Sequence, residues 1–272
     1  MAKGVKIELG KIQETLLLPL WGRAVESQKK KPRLIDKVAI EIISTVDYDF
    51  STITQNISWV SQFAWVARSL HVDNAILGFI KDYPKATIVN IGCGLDTTFD
   101  RIDNGQINFY DLDLPDVIDL RKKFFEENER RKTIACSFLD NRWFTQIQPD
   151  NGVFFIAAGV FYYFDENQIR DFFKSIAGGF RGCEIFFDSA SPLGVKIANK
   201  KVIRDGGMDE TAILKWGIKS AGSIEEWDEG IRLVKEFPMF KGMKRGLTLK
   251  MKYGLWMSDL LKIISMVHLK ME

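Results

Sequence analysis

The chain has 272 residues, of which 46% are hydrophobic and 12% aromatic, and its 38 basic and 36 acidic side chains leave a formal net charge of +2. That composition fits a globular chain with a sizeable core, excludes a disordered one, and gives no electrostatic reason to expect a nucleic-acid partner. No stretch approaches the ~20 apolar residues of a membrane span, so no membrane partner is expected.

The first eighty-odd residues read as helical. In "ETLLLPLWGR" the apolar run is broken by Gly22 and Arg23 before it resembles a leader, and the basic run Lys29-Lys30-Lys31 reads as a solvated loop. "LIDKVAIEIISTV" places Val38, Ile42, Ile43 and Val46 on one helical face behind an Asp36 cap. "NISWVSQFAWVARSL" does the same with Ile57, Val60, Ala64 and Ala67.

From Thr87 the pattern changes to five apolar strand candidates: "TIVNI", "INFYD" (107–111), "TIACS" (133–137), "VFFIAA" (153–158) and "CEIFFD" (183–188). Amphipathic segments such as "LPDVIDLRKKFFEENERR" and "DENQIRDFFKSIAG" lie between them, which predicts an α/β fold with a parallel sheet covered on both faces. In the last third "GSIEEWDEG" suggests a capping box of Ser223 and Glu226. "IRLVKEF" and "KIISMVHLKM" read as late strands forming an antiparallel addition to the sheet edge, separated by helical "LKMKYGLWMSDLL". Cys93, Cys136 and Cys183 lie more than forty residues apart with no metal or disulfide spacing, and they read as small buried hydrophobes in a reducing, cytoplasmic setting. With only His71 and His268 as histidines, no metal site is expected.

The chemistry concentrates at the end of the first strand candidate. In "TIVNIGCGLDTTFDR" a β-branched run drives into Gly92 and Gly94, where positive φ and close backbone approach suit a nucleotide. The dinucleotide fingerprint would place a third glycine where Thr97 stands. Asp111 and Asp113 follow Gly94 by 17 and 19 residues at a strand end, in phase to accept the hydroxyls of a ribose. That arrangement serves either a nicotinamide or an S-adenosylmethionine enzyme, and the missing glycine favours the second.

"ETLLLPLWGRA", "FAWVARSLHVD", "VNIGCGLDTTFDR", "FYDLDLPDVIDLRK", "FIAAGVFYYF", "FFDSASP" and "LKWGIKS" occur in the order and spacing of the leucine carboxyl methyltransferase family. The chain most resembles that family's microbial branch of small-molecule O-methyltransferases. The resemblance implies a doubly wound, Rossmann-like class I S-adenosylmethionine-dependent methyltransferase with a mostly parallel seven-stranded sheet. Within a single domain it implies an N-terminal helical cap over 1–84, a cofactor-binding core over 85–190, and a substrate-covering region with C-terminal strands over 191–272.

The resemblance also implies roles for individual residues. Arg68 meets the cofactor's methionine carboxylate, Gly92, Gly94 and Asp96 form its loop, and Asp113, with Asp111 beside it, binds the ribose. Ser137 and Phe138 flank the adenine, with Trp143 matching a tryptophan that often follows. At the end of the fourth strand the family's cofactor-facing glutamate is replaced by Ala158, and Tyr163, five residues on, lies near the substrate. Without the resemblance, Arg68 reads more readily as a snorkelling side chain or a partner of Asp73.

Methyl transfer from a sulfonium is an in-line displacement, so alignment is the main catalytic task and no catalytic residue is assigned. A carboxylate, with a pKa of about 4, is ionised at neutral pH, whereas a phenol near 10 needs a base. The absence of a well-placed histidine and the resemblance both favour esterification of a carboxylate on a small organic acid, with Tyr163 and Trp216 as candidate apolar walls. A non-catalytic cofactor-binding homologue and a methyltransferase acting on a protein C-terminus are the alternatives.

Overall fold

The computed structural model describes residues 11–48, 50–51, 57–204 and 213–272. Among the described residues three helices precede the sheet: α1 (Lys11–Ser27), α2 (Lys37–Thr45) and α3 (Trp59–Asp82). Asp36 caps α2 by accepting from the Ala39 amide, as its sequence position suggests, and Ser58 caps α3 through Ser61, leaving Ile57 outside the helix.

The strands β1 (Thr87–Ile91), β2 (Asn108–Asp113), β3 (Arg131–Ala135), β4 (Val153–Ala157) and β5 (Glu184–Ala190) alternate with α4 (Thr98–Ile102), α5 (Pro115–Arg121) and α6 (Glu166–Gly179). After α7 (Pro192–Arg204), β6 (Ile231–Pro238), α8 (Leu249–Leu260) and β7 (Ile264–Met271) complete the seven-stranded sheet, whose order is β3-β2-β1-β4-β5-β7-β6. β1 to β5 pair in parallel, and β7 runs antiparallel between β5 and β6. The strand order reverses between β1 and β4, so a cleft is expected at the carboxyl ends of those two strands.

Period-two alternation splits each apolar strand between two cores. Val89, Leu112, Phe155 and Phe187 face α6, whereas Ile88, Phe109, Phe154 and Phe186 face α3. This double burial is why the strands read as unbroken apolar runs. A third cluster joins Leu17, Leu20 and Ala24 of α1 to Ala39 and Ile42 of α2, and to Leu95, Leu120 and Phe125, which places the N-terminal helices against the glycine loop.

Three local expectations are corrected. The predicted helix after β2 stops at Arg121, because that side chain turns inward to a buried carboxylate and the chain folds back to lay Phe125 4.2 Å from its guanidinium. The capping box at Ser223 does not form; a 3-10 turn over Ala221–Trp227 begins three residues earlier, with Ser220 accepting from Gly222. Cys136 is half-buried, unlike Cys93 and Cys183, and all three are free thiols.

Candidate active site

The glycine loop is set by β2. The Gly92 amide donates to the Leu112 carbonyl at 2.8 Å and the Gly94 amide to Asp113 Oδ2 at 2.8 Å, while the Leu114 amide reaches Asp113 Oδ1 at 2.8 Å. Both glycines have positive φ, at 61° and 48°. A Cβ on Gly92 would stand 2.6 Å from Val160, and one on Gly94 3.1 Å from Leu16 of α1, so a side chain at either position would push into the walls of the loop. Asp113 keeps part of its carboxylate open at the end of β2, and burial pushes its pKa up against the two amides that hold it down. Each of its oxygens retains a free lone pair for a hydroxyl donor.

Asp111, two residues earlier, departs from the expected ribose role. It is fully buried, Arg121 Nη2 donates to its Oδ2 at 2.7 Å and Arg131 Nε at 3.2 Å, and Asn90 donates to Oδ1 at 3.2 Å. It acts one layer behind the loop, since Arg121 Nη1 donates to the Gly94 carbonyl at 2.8 Å.

Asp96 faces inward to the cap. Its Oδ2 accepts from the Thr98 amide at 3.1 Å, and Arg23 and Arg101 stand 3.8 and 3.9 Å from Oδ1. Burial alone would raise its pKa, but those guanidinium charges and the amide bring it down to about 2. Arg101 also pairs with Asp73 at 2.8 Å and Asp36 at 3.1 Å, and Arg23 with Asp36 at 2.8 Å. Sequence reasoning missed Arg23 and Arg101, because their partners come from α2, α3 and the glycine loop. Thr97, standing where a dinucleotide loop would have its third glycine, is buried and accepts from Arg101 Nη1 at 2.6 Å.

Arg68 extends from α3 to the carboxyl ends of β4 and β5. Its Nε forms an ion pair with Asp188 Oδ2 at 2.8 Å, and its Nη2 donates to the Tyr162 hydroxyl at 2.9 Å. Asp73 is taken by Arg101, so the local pairing does not form. Burial would lower the Arg68 pKa, but Asp188 and two tyrosines more than offset it and the guanidinium stays charged. Gly159, at φ 82°, admits it: a Cβ there would stand 2.7 Å from Nη1. Val160, the next residue, is the one that packs against Gly92, so Arg68 and the glycine loop share the switch point.

Ser137 lies beside Asp113, because the Cys136 amide donates to the Asp113 carbonyl at 2.9 Å. The Phe138 ring is buried in T-shaped contacts with Phe161, Phe164 and Phe172, so it is a core residue and not a free adenine stack. Trp143 is buried as well and donates from Nε1 to the Phe138 carbonyl at 3.1 Å. The Ala158 side chain packs with the α3 core and offers no polar contact. Tyr163 is 39% exposed at the rim, whereas Trp216 is 2% exposed and packed between Phe187 and Trp227, which removes it as a cleft wall. Neither histidine reaches this edge: His268 pairs with Glu184 at the opposite end of β5, and His71 meets the Met239 carbonyl.

The leucine carboxyl methyltransferase family model matches residues 17–177, more than half of the chain, including Arg68, the glycine loop, Asp113 and Tyr163. The chain belongs to the leucine carboxyl methyltransferase family. Within and around that family, it is 27% identical over 238 residues to the tetracenomycin polyketide synthesis O-methyltransferase TcmP of Streptomyces glaucescens, covering 87% of this chain and 86% of the relative. It is also 27% identical over 250 residues to the S-adenosyl-L-methionine-dependent methyltransferase dpfgK of Gibberella zeae, covering 84% and 82%. In fold it is similar to a DUF574 family protein from Streptomyces avermitilis, with a TM-score of 0.60 at 9% identity over 97% of this chain and 100% of that one. An S-adenosylmethionine-dependent methyltransferase from Anabaena variabilis follows, with a TM-score of 0.53 at 12% identity over 76% and 85%. The fold is thus the class I methyltransferase sheet, with β7 reversed between β5 and β6.

Proposed function

We propose that this chain is an S-adenosylmethionine-dependent O-methyltransferase that esterifies the carboxylate of a small organic acid. The observation that carries the reading is the convergence at one switch point of the Gly92–Gly94 loop, the open Asp113 carboxylate and Arg68, whose Nη1 makes no hydrogen bond with a described residue. These groups match an adenosyl amino acid: lone pairs for the ribose hydroxyls, a tight loop for close approach, and a cation for the α-carboxylate. Bound there, the cofactor supplies an activated methyl on a sulfonium.

The chain's own task is to hold, align and exclude water. Asp113 and Arg68 fix the two ends of the site about the glycine loop, and such positioning contributes on the order of 7 to 11 kcal/mol to a displacement of this kind. Tyr163 stands at the rim, and burial and then the nearby Asp188 push its pKa up while Arg68 opposes them. It is therefore a protonated hydroxyl at neutral pH, suited to donate to an acceptor carboxylate and not to deprotonate a phenol. With both histidines away from this edge, the rim offers a donor where an ionised acceptor needs one.

The test uses methyl-tritiated S-adenosylmethionine with a panel of aromatic and aliphatic acids. A methyl ester releases its label as volatile methanol under mild base, and that release is the expected result. Base-stable label on the acceptor would instead identify an ether and overturn the carboxylate assignment. Cofactor binding without transfer to any acceptor would favour a non-catalytic homologue, the reading that Ala158 suggests.

A further inference from the structure

β4 and β5 run in parallel register with Ala157 opposite Phe187, so Ala158 and Asp188 follow side by side at the carboxyl edge. The end of β4 carries no acid, and the acid stands one strand over. Asp188 is fully buried, and two donors and a cation converge on it: the Gly159 amide at 2.7 Å to Oδ1, the Tyr162 hydroxyl to Oδ2, and the Arg68 guanidinium, ion-paired with the same oxygen. Tyr162 closes the arrangement by accepting from Arg68 Nη2. Two of the three guanidinium nitrogens are thus held, and the third, Nη1, is pressed over Gly159, where only a residue without Cβ leaves room. A buried charge cluster of this kind is weak evidence for stability, since apolar packing of the same volume serves as well. Its geometry instead fixes the direction of one side chain at the switch point.

We propose that Asp188 is a positioning residue of the cofactor site. From β5 it orients Arg68, with Tyr162 as brace, so that Nη1 meets the α-carboxylate of the cofactor's amino-acid moiety, and it supplies the order that an acid at position 158 does not. This rests on the S-adenosylmethionine reading above. Asp188 has no exposed surface and acts only through Arg68.

Two ligands separate this role from a structural one: S-adenosylhomocysteine, which carries the amino acid, and 5′-methylthioadenosine, which lacks it. Asp188→Asn removes the charge that faces Arg68 and places an NH2 among groups that need an acceptor, so the guanidinium loses its anchor. By calorimetry the variant is expected to bind S-adenosylhomocysteine about tenfold more weakly and methylthioadenosine as the wild type does. In an Arg68→Ala background, Asp188→Asn should add nothing. Tyr162→Phe, which leaves every charge in place, should show the same selectivity at a smaller size, and it carries the test if Asp188→Asn fails to fold. Equal losses for both ligands, no loss for either, or a full further loss in the Arg68→Ala background would each overturn the proposal. Binding of methylthioadenosine with these outcomes would leave the cofactor reading standing, whereas a wild-type chain that binds neither ligand would remove that reading and the proposal with it.

Discussion

Two networks of buried charge lie on either side of the switch point, and they differ in where their unspent donors lie. Beneath the glycine loop, Asp111 is shared by Arg121, Arg131 and Asn90, and Arg121 spends its other terminal nitrogen on the Gly94 carbonyl. Across the cleft, Asp188 takes Arg68 and Tyr162, but Arg68 Nη1 has no partner among the described residues. The first network leaves two donors unpaired among the described residues, Arg121 Nε and Arg131 Nη2, but both are buried beneath the loop whose backbone it shapes, whereas Arg68 Nη1 stands over Gly159 at the end of β4. Neither buried charge nor an unspent donor marks a binding group by itself, but an unspent donor at the carboxyl edge of the switch point does.

The sharpest way to break this contrast is Asp111→Ala. It leaves Arg121 buried without its counter-charge and should cost about 3 to 5 kcal/mol of stability, read as a shifted midpoint in urea unfolding. A variant as stable as wild type would remove the structural assignment. Arg68→Ala should do the opposite: cofactor affinity falls by roughly 2 to 5 kcal/mol in calorimetry if the pair is desolvated, while the urea midpoint moves much less. Melting far below wild type with normal binding of the folded fraction would make Arg68 a packing residue.

Asp113→Ala sharpens the distinction between the two aspartates of β2. Its expected effect is a loss of about 1.5 to 3 kcal/mol in cofactor affinity, the scale of hydrogen bonds to a charged group. Unchanged affinity would take Asp113 out of the site.

The smallest expected effect is on the acid limb of stability and concerns Asp96. Because its folded pKa is lowered from 3.8 to about 2, its contribution is present above pH 4 and is lost as pH falls towards 2. That contribution amounts to about 2 kcal/mol. Wild type and Asp96→Asn should therefore differ in unfolding free energy at pH 6 and converge near pH 2. Parallel curves over that range would show that Arg23 and Arg101 do not hold Asp96 ionised.

Much of the frame was legible in the residues. The β-branched and aromatic runs gave strands within two residues of their observed bounds, because strands buried on both faces must be apolar throughout. The glycine loop was legible because positive φ leaves few choices of side chain. The Asp111 role was not, since residues two apart on a strand share a face and periodicity treats Asp111 and Asp113 alike. What separates them is Arg121 from α5 and Arg131 from β3 reaching one and not the other.

By itself, then, the sequence determined the α/β class, the place of the glycine loop and the reversed strands at the sheet edge, all of which follow from short-range pattern and backbone sterics. Only the tertiary structure decided which charged groups are spent. Arg68 and Asp73 are five residues apart on α3, which turns their side chains about 140° from one another, so the near pairing was never favoured. Their actual partners, Asp188 and Arg101, come from β5 and α4. Trp216 and Phe138 were settled in the same way, for an aromatic residue near a strand end is core or rim according to the elements that pack over it.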